Sequence, residues 1–491
     1  MTLSKSQFIR GMKCHKSLWL LKHQPHLRTP SDSAQEALFA SGYTVGDAAK
    51  SLYPDGVEIA FDRGNYDAMI AQTQALIYTG ARTLYEATFK SEGLFAMVDI
   101  LHRGANGWEI YEVKASTHPK DYHIWDASLQ LKILRDLGYE VSKVAIVHIN
   151  NQFTKTQESI DPRKLLTITD ITAQAYANTE AIEEHHYDMR MMLEGEMPAM
   201  DIGAWCGKFY ACDFEVHCWS HIPSPSVFDL YRLSSEKKFA LYAQNILTFA
   251  DIRSAKTKLN VTQKLQIDTH FDQERHIDTK VITKFLDKLV YPLSYFDFET
   301  FNDAVPRYYN QKPYAQVPFQ YSLHIESEEG EVVAKAFLGD EMHDPRRALV
   351  ESMLRDLPSS GSIVAYNMSF EITQIQALAK LFGEYEEALL ALVPRFVDLI
   401  EPFRNRGYYV SAMGGSFSIK SVLPALFGDD ERLSYKKLTI QNGGMASETF
   451  ARLHLESDET KRREIREALL EYCHLDTLAM VKIVERLRSV V

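Results

Sequence analysis

Acidic residues beside a lysine form the first pattern in the sequence that could do chemistry. Glu112 and Lys114 lie two residues apart in a predicted strand, so both side chains leave the same face of it. Asp99 lies in the preceding predicted strand, across a turn, and can reach the same point. Carboxylates are ligands for Mg²⁺ or Mn²⁺, and a lysine beside such an ion can orient or deprotonate water. The pattern predicts metal-dependent hydrolysis of a phosphodiester, although Glu-Val-Lys alone is also typical of an exposed strand face.

Two more residues extend this first candidate site. Glu86 lies on the strand predicted before Asp99 and can add an outer ligand. Gln130 lies on the following helix, where it can position a phosphate or a water molecule. The order of Glu, Asp, hairpin, Glu-x-Lys and a helix with Gln resembles the PD-(D/E)XK nucleases, and in particular their RecB-like branch. The resemblance implies a restriction-endonuclease-like fold in which Asp99 and Glu112 bind metal and Lys114 activates water.

Four cysteines form the second pattern. Cys206, Cys212 and Cys218 lie within thirteen residues, and Cys14 lies alone near the start of the chain. Together they would supply four thiolate ligands, which suit a [4Fe-4S] cluster as well as zinc. One cysteine before the nuclease motif and three after it resembles the RecB-like iron-sulfur nucleases, including those of CRISPR adaptation. The resemblance implies a [4Fe-4S] cluster, with zinc as the alternative. Free cysteines usually behave as small buried hydrophobes, and we assign that role to Cys473.

A second acidic pattern lies in the C-terminal part of the chain. Asp297 and Glu299 share one face of a predicted buried strand, where two carboxylates are costly unless they bind metal. Tyr472 and Asp476 are four residues apart and share one face of a predicted helix. These side chains could hold two metal ions, with the tyrosine hydroxyl orienting the attacking water. Each piece alone is equally compatible with an ordinary strand and an ordinary helix surface.

The order of these motifs resembles the DEDD 3′-5′ exonucleases of the ribonuclease H-like fold, in their tyrosine variant. That family has Asp-x-Glu, then Asn-x-x-Phe-acid, then Tyr-x-x-x-Asp. The middle acid here is Glu371, where the family usually has Asp, and Asp398 is a spare carboxylate that could substitute. Residues 416–420, Ser-Phe-Ser-Ile-Lys, resemble the Ser-Leu-Lys helix start of that fold. The resemblance implies that the metal is held by Asp297, Glu299, Glu371 and Asp476, with Tyr472 aiding catalysis.

The elements that must position these residues form two α/β regions. Strands are predicted at Thr83–Phe89, Leu94–Leu101 and Trp108–Ala115, followed by a helix and another strand. A second alternation of strands and helices begins near Leu289. The sequence therefore predicts an α/β multidomain protein, in a layout that resembles a fusion found in bacterial proteins of unknown function. Its predicted parts are a RecB-like PD-(D/E)XK domain at 1–225, a small helical connector at 226–288 and a ribonuclease H-like DEDD exonuclease domain at 289–491.

Composition limits the class of protein. The chain has 491 residues, 45% of them apolar, and a formal charge of -12, which argues against coating nucleic acid by bulk charge. Residues 1–30 nevertheless contain six lysines and arginines and no acidic residue, which predicts a local basic patch. No run approaches the length of a bilayer-spanning helix, and five cysteines are too few for a disulfide framework. We expect a cytoplasmic protein with no membrane partner.

These patterns together predict a metal-dependent nuclease. We expect it to use Mg²⁺ or Mn²⁺ to hydrolyse phosphodiester bonds at DNA ends or in single-stranded DNA. The alternative is a nucleic-acid-binding or scaffold protein in which one or both nuclease sites are inactive.

Overall fold

The computed structural model divides into two compact units. It describes residues 2–30, 33–273, 275–428 and 430–491, and for residues 33–39 it describes the backbone alone. The first unit contains residues 1–221 and 303–314, and the second contains residues 222–302 and 315–491. The protein is therefore an α/β multidomain protein, as predicted. The residues of the predicted connector, 226–288, lie within the second unit and do not form a unit of their own.

The first unit is built on one sheet with helices around it. Its strands are β1 (Leu3–Ser4), β2 (Val57–Glu58), β3 (Thr83–Ser91), β4 (Leu94–Arg103), β5 (Trp108–Lys114), β6 (Val141–Ile149) and β7 (Leu166–Asp170). Its helices are α1 (Lys5–Lys13), α2 (His15–His23), α3 (Ser33–Lys50), α4 (Tyr66–Tyr78), α5 (Asp121–Asp136), α6 (Pro162–Leu165), α7 (Thr172–Ala177), α8 (Thr179–Glu194) and α9 (Glu215–Cys218). The strands predicted from the alternation of apolar residues are all present. Helices α7 and α8 follow one another along the chain and meet at Asn178.

Two pairings in this first sheet bring distant residues together. The strand order is β2-β3-β4-β5-β6-β7, and β1 pairs in parallel with the first residues of β4. The ladder between β4 and β5 covers only residues 100–103 of β4. Strand β1 pairs with residues 94 and 95 of β4, which β5 does not reach. Helix α1 follows β1 without a break, because the Ser4 side chain accepts a hydrogen bond from the Gln7 amide and caps the helix. The start of α1 therefore lies beside the middle of the sheet.

The second unit contains a mixed sheet and the longest helix. Its strands are β8 (His276–Ile277), β9 (Leu293–Phe301), β10 (Val317–Glu326), β11 (Val332–Leu338), β12 (Ile363–Ala365), β13 (Phe396–Asp398) and β14 (Tyr408–Tyr409). Its helices are α10 (Ser235–Tyr242), α11 (Phe249–Ser254), α12 (Val261–Asp272), α13 (Thr279–Leu286), α14 (Arg346–Asp356), α15 (Ser369–Leu381), α16 (Glu386–Leu390), α17 (Glu401–Arg404), α18 (Ile419–Phe427), α19 (Gly443–Leu453) and α20 (Glu459–Arg488). No helix in the described ranges is both long and apolar enough to span a bilayer.

The sheet of the second unit places β9 at its centre. The strand order is β11-β10-β9-β12-β13, in which β10 is antiparallel to both neighbours while β12 and β13 run parallel to β9. Side chains of β9 alternate between two cores. Phe296 and Phe298 pack on one face with α14 and α15, and Tyr295 packs on the other face with α18 and α20. Asp297 and Glu299 share the face of Tyr295 because side chains alternate along a strand.

Candidate functional site

The first-unit site consists of Glu86, Asp99, Glu112, Lys114 and Gln130, which the sequence predicted, and of Lys5 and Asp126, which it did not. Pairing between β3, β4 and β5 is irregular at the positions of Glu86 and Asp99. The β4–β5 ladder ends at the pair Ile100–Tyr111, and beyond it the Asp99 carboxylate accepts a hydrogen bond from the Val113 amide at 2.7 Å. The β3–β4 register omits the position of Glu86 and Asp99, and Glu86 has a φ of 57°. A strained backbone of this kind is typical of functional sites.

Glu112 is the most deeply buried member of the first-unit site, with no exposed surface. One oxygen accepts a hydrogen bond from Lys114 at 2.5 Å and the other from the Gln130 amide at 2.6 Å. Burial alone would raise the pKa of Glu112, but the ammonium groups of Lys114 and Lys5 outweigh it and hold that pKa well below its usual value. Glu112 is therefore ionised and ready to bind a cation.

Asp126 is an additional acid in this site. It lies on α5 one turn before Gln130 and accepts a hydrogen bond from Lys114 at 2.6 Å. Its second oxygen is buried without a hydrogen-bond partner. Burial and the Glu112 charge raise the pKa of Asp126 to about 6, and burial and Asp99 raise the pKa of Glu86 to about 7. The i, i+4 spacing with Gln130 was the signal in the sequence that could have revealed it.

Lys5 brings a positive charge to the place where a metal ion would bind. Its ammonium lies 3.0 Å from both oxygens of Glu112 and 3.4 Å from Asp99. With Glu86 and Lys114 these groups line a cavity of about 330 Å³. The ammonium acts as a stand-in cation, and its position shows that Asp99 and Glu112 can both contact one cation. The acid-free basic segment at residues 1–30 was the only sequence signal for Lys5.

We expect Lys5→Met to increase the Mn²⁺ affinity of the first-unit site by about tenfold or more, because the ammonium competes with the ion for the same carboxylates. Calorimetric Mn²⁺ titration in an Asp297→Asn background measures this site without a contribution from the second unit. Lys90→Met, which removes an exposed lysine of β3, is the control. An unchanged or weaker affinity in Lys5→Met would contradict the competition between Lys5 and the ion.

The four-cysteine site contains all four predicted sulfur ligands. Cys14, Cys206, Cys212 and Cys218 line one small cavity of about 20 Å³. Cys14 occupies the junction of α1 and α2, where its sulfur accepts a hydrogen bond from the Ser17 amide. Burial raises the pKa values of Cys14 and Cys218 above their usual range. Among the residues that the structure describes, these four sulfurs do not form a set of three or more within 4.8 Å of one another.

The second-unit site consists of Asp297, Glu299, Glu371, Tyr472 and Asp476, and the structure brings all five together. Helix α20 packs across β9 and buries Tyr472 and Asp476 against the acidic face of that strand. Burial and the neighbouring carboxylates, first of all Asp476, raise the pKa of Asp297 and of Glu299 well above the usual range. The site therefore contains more negative charge than the protein itself compensates.

Glu371 joins this site from the first turn of α15. It is 3% exposed, and one of its oxygens is buried without a hydrogen-bond partner. Burial, followed by the charge of Asp398, raises the pKa of Glu371 to about 8. Asp398 itself accepts hydrogen bonds from the backbone amides of Asn367 at 2.8 Å and Ile400 at 3.2 Å. Those bonds connect the turn after β12 to the turn after β13, so Asp398 has a structural role and Glu371 remains the candidate ligand.

Three residues of this region were not assigned to the site from the sequence. Tyr435 donates a hydrogen bond to Asp476 at 2.6 Å, and no spacing rule connects the two. Lys420 lies with its ammonium 5.6 Å from the centre of the Tyr472 ring, and its charge lowers the pKa of Asp297, Glu299 and Asp476. The motif at 416–420 was its signal. Cys473 is buried, as predicted for a core residue, but its sulfur lies beside Asp297 and Glu299.

The second-unit site fits a divalent cation. A ligand atom from each of Asp297, Glu299 and Cys473 lies within 4.8 Å of the other two. Carboxylate oxygens are the ligands of Mg²⁺ and Mn²⁺, and buried carboxylates in such a group need a cation to compensate them. The buried oxygen of Glu371 without a partner is a further group that a cation would satisfy.

We expect the metal-free protein to lose stability as the pH rises from about 5 to about 8, because Glu371 must give up its proton in the buried site. The pKa of this group is 4.5 in an unfolded chain and about 8 in the folded one. The loss of folding stability caused by its ionisation is therefore absent below pH 4.5 and complete above about pH 8. Glu371→Gln should reduce this pH dependence and stabilise the protein at pH 8, by an amount on the order of a few kcal/mol. Urea unfolding in EDTA measures the effect.

The exposed residue Glu387 provides the control for this experiment. Glu387→Gln removes a glutamate charge from α16 at the surface and should leave the pH dependence as it is in the wild type. If Glu371→Gln and the wild type lose stability in parallel over this pH range, Glu371 is not the titrating group.

Comparison with known proteins finds a match for the acidic strand to a domain described as of unknown function. A family model described as a domain of unknown function (DUF2779) matches residues 294–418, which include Asp297, Glu299 and Glu371. An uncharacterized protein of Mycoplasma pneumoniae is 30% identical over 205 residues, which cover 38% of this chain and 31% of that protein. An uncharacterized protein of Mycoplasma genitalium is 28% identical over 206 residues, which cover 39% of this chain and 31% of that protein. An uncharacterized protein of Ureaplasma parvum is 25% identical over 240 residues, which cover 44% of this chain and 34% of that protein. The matched region spans about a third of the length of these curated relatives.

Proposed function

We propose that the protein is a metal-dependent nuclease that acts on DNA ends or single-stranded DNA. The observation that carries this proposal is the second-unit site, in which buried carboxyl groups on β9, α15 and α20 act on one another electrostatically and the charge of Lys420 acts on Asp297, Glu299 and Asp476. The mixed sheet with β9 at its centre supports a ribonuclease H-like DEDD exonuclease domain. When bound, Mg²⁺ or Mn²⁺ would stabilise the attacking and leaving oxygens of the phosphodiester.

The protein side chains of the second-unit site have separate roles in this proposal. Asp297, Glu299, Glu371 and Asp476 would hold the metal. The Tyr472 hydroxyl and a Glu299 oxygen both lie beside Gly443. A Cβ atom placed on this glycine would be 3.5 Å from the Glu299 oxygen and 3.9 Å from the hydroxyl, so the two groups are close to each other. Tyr472 can therefore orient the attacking water. Burial and Asp476 raise the pKa of Tyr472 far above its usual value, so the hydroxyl keeps its proton and donates a hydrogen bond.

The first-unit site supports a second hydrolytic centre of the PD-(D/E)XK, RecB-like type. Asp99 and Glu112 would hold Mg²⁺ or Mn²⁺, and Gln130 fixes the orientation of Glu112. Burial would lower the pKa of Lys114, but Asp126 and Glu112 outweigh it and raise that pKa above its usual value. Lys114 thus remains an ammonium group that can orient a water or bind a phosphate oxygen, and it does not act as a base in this state.

A second candidate function rests on Lys5. Its ammonium and that of Lys114 already neutralise Asp99, Glu112 and Asp126. A site compensated in this way can be inactive, and the first unit would then only bind nucleic acid. The second unit has no comparable lysine pair among its described residues, so this alternative applies to the first-unit site alone.

We also propose that the four-cysteine site holds a [4Fe-4S] cluster. One cysteine before the first acidic motif and three after it is the layout by which this chain resembles the RecB-like iron-sulfur nucleases, and four thiolates around one cavity suit the cluster, with zinc as the alternative. The cluster would connect the α1–α2 junction to the cysteine segment at 206–218.

The test uses full-length protein purified without oxygen and single-stranded DNA labelled at its 5′ end. We expect Mn²⁺-dependent shortening of the DNA by the wild type and none by the double variant Asp99→Asn/Asp297→Asn. EDTA should stop the reaction. If the wild type binds the DNA and leaves it intact, the binding function replaces the nuclease proposal. If the double variant cuts like the wild type, neither site is responsible.

A further inference from the structure

Cys473 lies inside the second-unit site. Its thiol has no exposed surface, and its sulfur and one oxygen each of Asp297 and Glu299 lie within 4.8 Å of one another. Oxygen and sulfur ligands of one metal ion lie about 2.0 to 2.5 Å from it, so ligand atoms around the same ion are at most about 5 Å apart. Within the ranges that the structure describes, this is the one group of three or more acidic, sulfur or imidazole ligands that meets the 4.8 Å limit.

Two features of α20 explain the position of this sulfur. Residues 472 and 476 are one turn apart and therefore share a face of α20, which packs on β9. Residue 473 lies on the adjoining side of the helix, close to residue 476. The strand below presents Asp297 and Glu299 upward, since Phe296 and Phe298 occupy its other face. A thiol at 473 is thereby held over the two carboxylates and cannot turn to solvent.

Glu371 provides independent support for a cation in the second-unit site. Its buried oxygen without a hydrogen-bond partner belongs to a side chain that is 3% exposed and whose charge acts on both Asp297 and Glu299. A buried carboxylate oxygen without a partner is costly, and a cation between these groups would satisfy it.

We propose that the Cys473 sulfur is a metal ligand beside Asp297 and Glu299, so that the second-unit site prefers thiophilic ions such as Co²⁺, Zn²⁺ or Fe²⁺ over Mg²⁺. A thiol that binds a metal ion loses its proton, and a thiolate is a soft ligand that Mg²⁺ accepts poorly. This inference rests on the metal site of the proposed function and specifies which ions that site selects. The DEDD motifs contain only oxygen ligands, so the sulfur is a feature of this chain.

Cobalt is the probe, because a bound thiolate gives Co²⁺ an intense charge-transfer absorption that oxygen ligands do not give. We expect the difference spectrum of full-length protein, before and after Co²⁺ addition, to show this band. Cys473→Ser should lose the band and bind Co²⁺ at least about tenfold more weakly, as expected for loss of a ligand. Its Mg²⁺ affinity, measured by competition, should not fall. Cys473→Ala repeats the test without a hydroxyl.

Cys206→Ser is the matched control, since it removes a cysteine from the four-cysteine site and should keep the Cys473-dependent band. The inference is overturned if the wild type shows no sulfur-to-cobalt band, or if the band persists in Cys473→Ser and disappears in Cys206→Ser. Circular dichroism of each variant checks that it is folded. If DNA is cleaved but the band is absent, the sulfur ligand is rejected and the nuclease proposal stands. If the band is present but DNA is not cleaved, the sulfur ligand stands and the nuclease proposal is rejected.

Discussion

Asp297→Asn is expected to reduce Mn²⁺-dependent shortening of single-stranded DNA by about a thousandfold or more. Asp297 lies at the centre of the second-unit site, where its charge acts together with those of Asp476, Glu371 and Glu299. Replacing it with an amide removes a charged metal ligand, and stabilisation of the transition state by metal amounts to several kcal/mol. The measurement is the single-turnover rate in a Lys114→Ala background, so that the first-unit site does not contribute.

The same substitution should have the opposite effect on stability. Four carboxyl groups crowd the metal-free site and oppose one another's ionisation, so the neutral amide should raise the melting temperature of the protein in EDTA while it lowers activity. This combination separates a lost ligand from a misfolded variant, which would lose both. Asp268→Asn removes an exposed carboxylate from α12 and should change neither quantity. Full cleavage by Asp297→Asn in the Lys114→Ala background would exclude the second unit as the hydrolytic centre.

Residues close together in sequence account for most of what could be predicted. Alternation along β9 placed Asp297 and Glu299 on one face, and the same rule placed Glu112 beside Lys114 on β5. Helical spacing paired Tyr472 with Asp476. The longer strands β3, β4, β5, β6 and β9 and the α/β class followed from the apolar pattern of the sequence. These features depend on local backbone geometry, which can be predicted from the spacing of residues in the sequence.

The residues that were missed act over long distances in the chain. Lys5 meets Glu112 across 107 positions because β1 joins the edge of β4, and a two-residue strand has too few residues to show a periodicity. Tyr435 contacts Asp476 from a short 3₁₀ turn, and no sequence pattern predicts that turn. The segment 303–314 belongs to the first unit although the second surrounds it in sequence. Such contacts are decided by packing, and a single sequence does not contain that information.

Cys212→Ser is expected to remove the visible absorption of the anaerobically purified protein and to destabilise the first unit. Cys212 lines the same cavity as Cys14, Cys206 and Cys218, so its loss leaves three ligands for a four-ligand cluster. Metal binding contributes to the free energy of folding when the unfolded chain lacks the site. Loss of several kcal/mol lowers the melting temperature of a unit of this size by about 10 °C or more.

Cys473→Ser is the control for this experiment, because it replaces the one cysteine that lies outside the four-cysteine site and should leave the colour unchanged. A colourless wild type that contains zinc, with the zinc lost in Cys212→Ser, would replace the iron-sulfur cluster by the zinc alternative and keep the site. Full colour and unchanged melting in Cys212→Ser would remove Cys212 from the ligand set. In that case α1 and α2 would depend on other contacts with the cysteine segment, of which the ion pair between Arg10 and Asp213 at 2.6 Å is the strongest candidate.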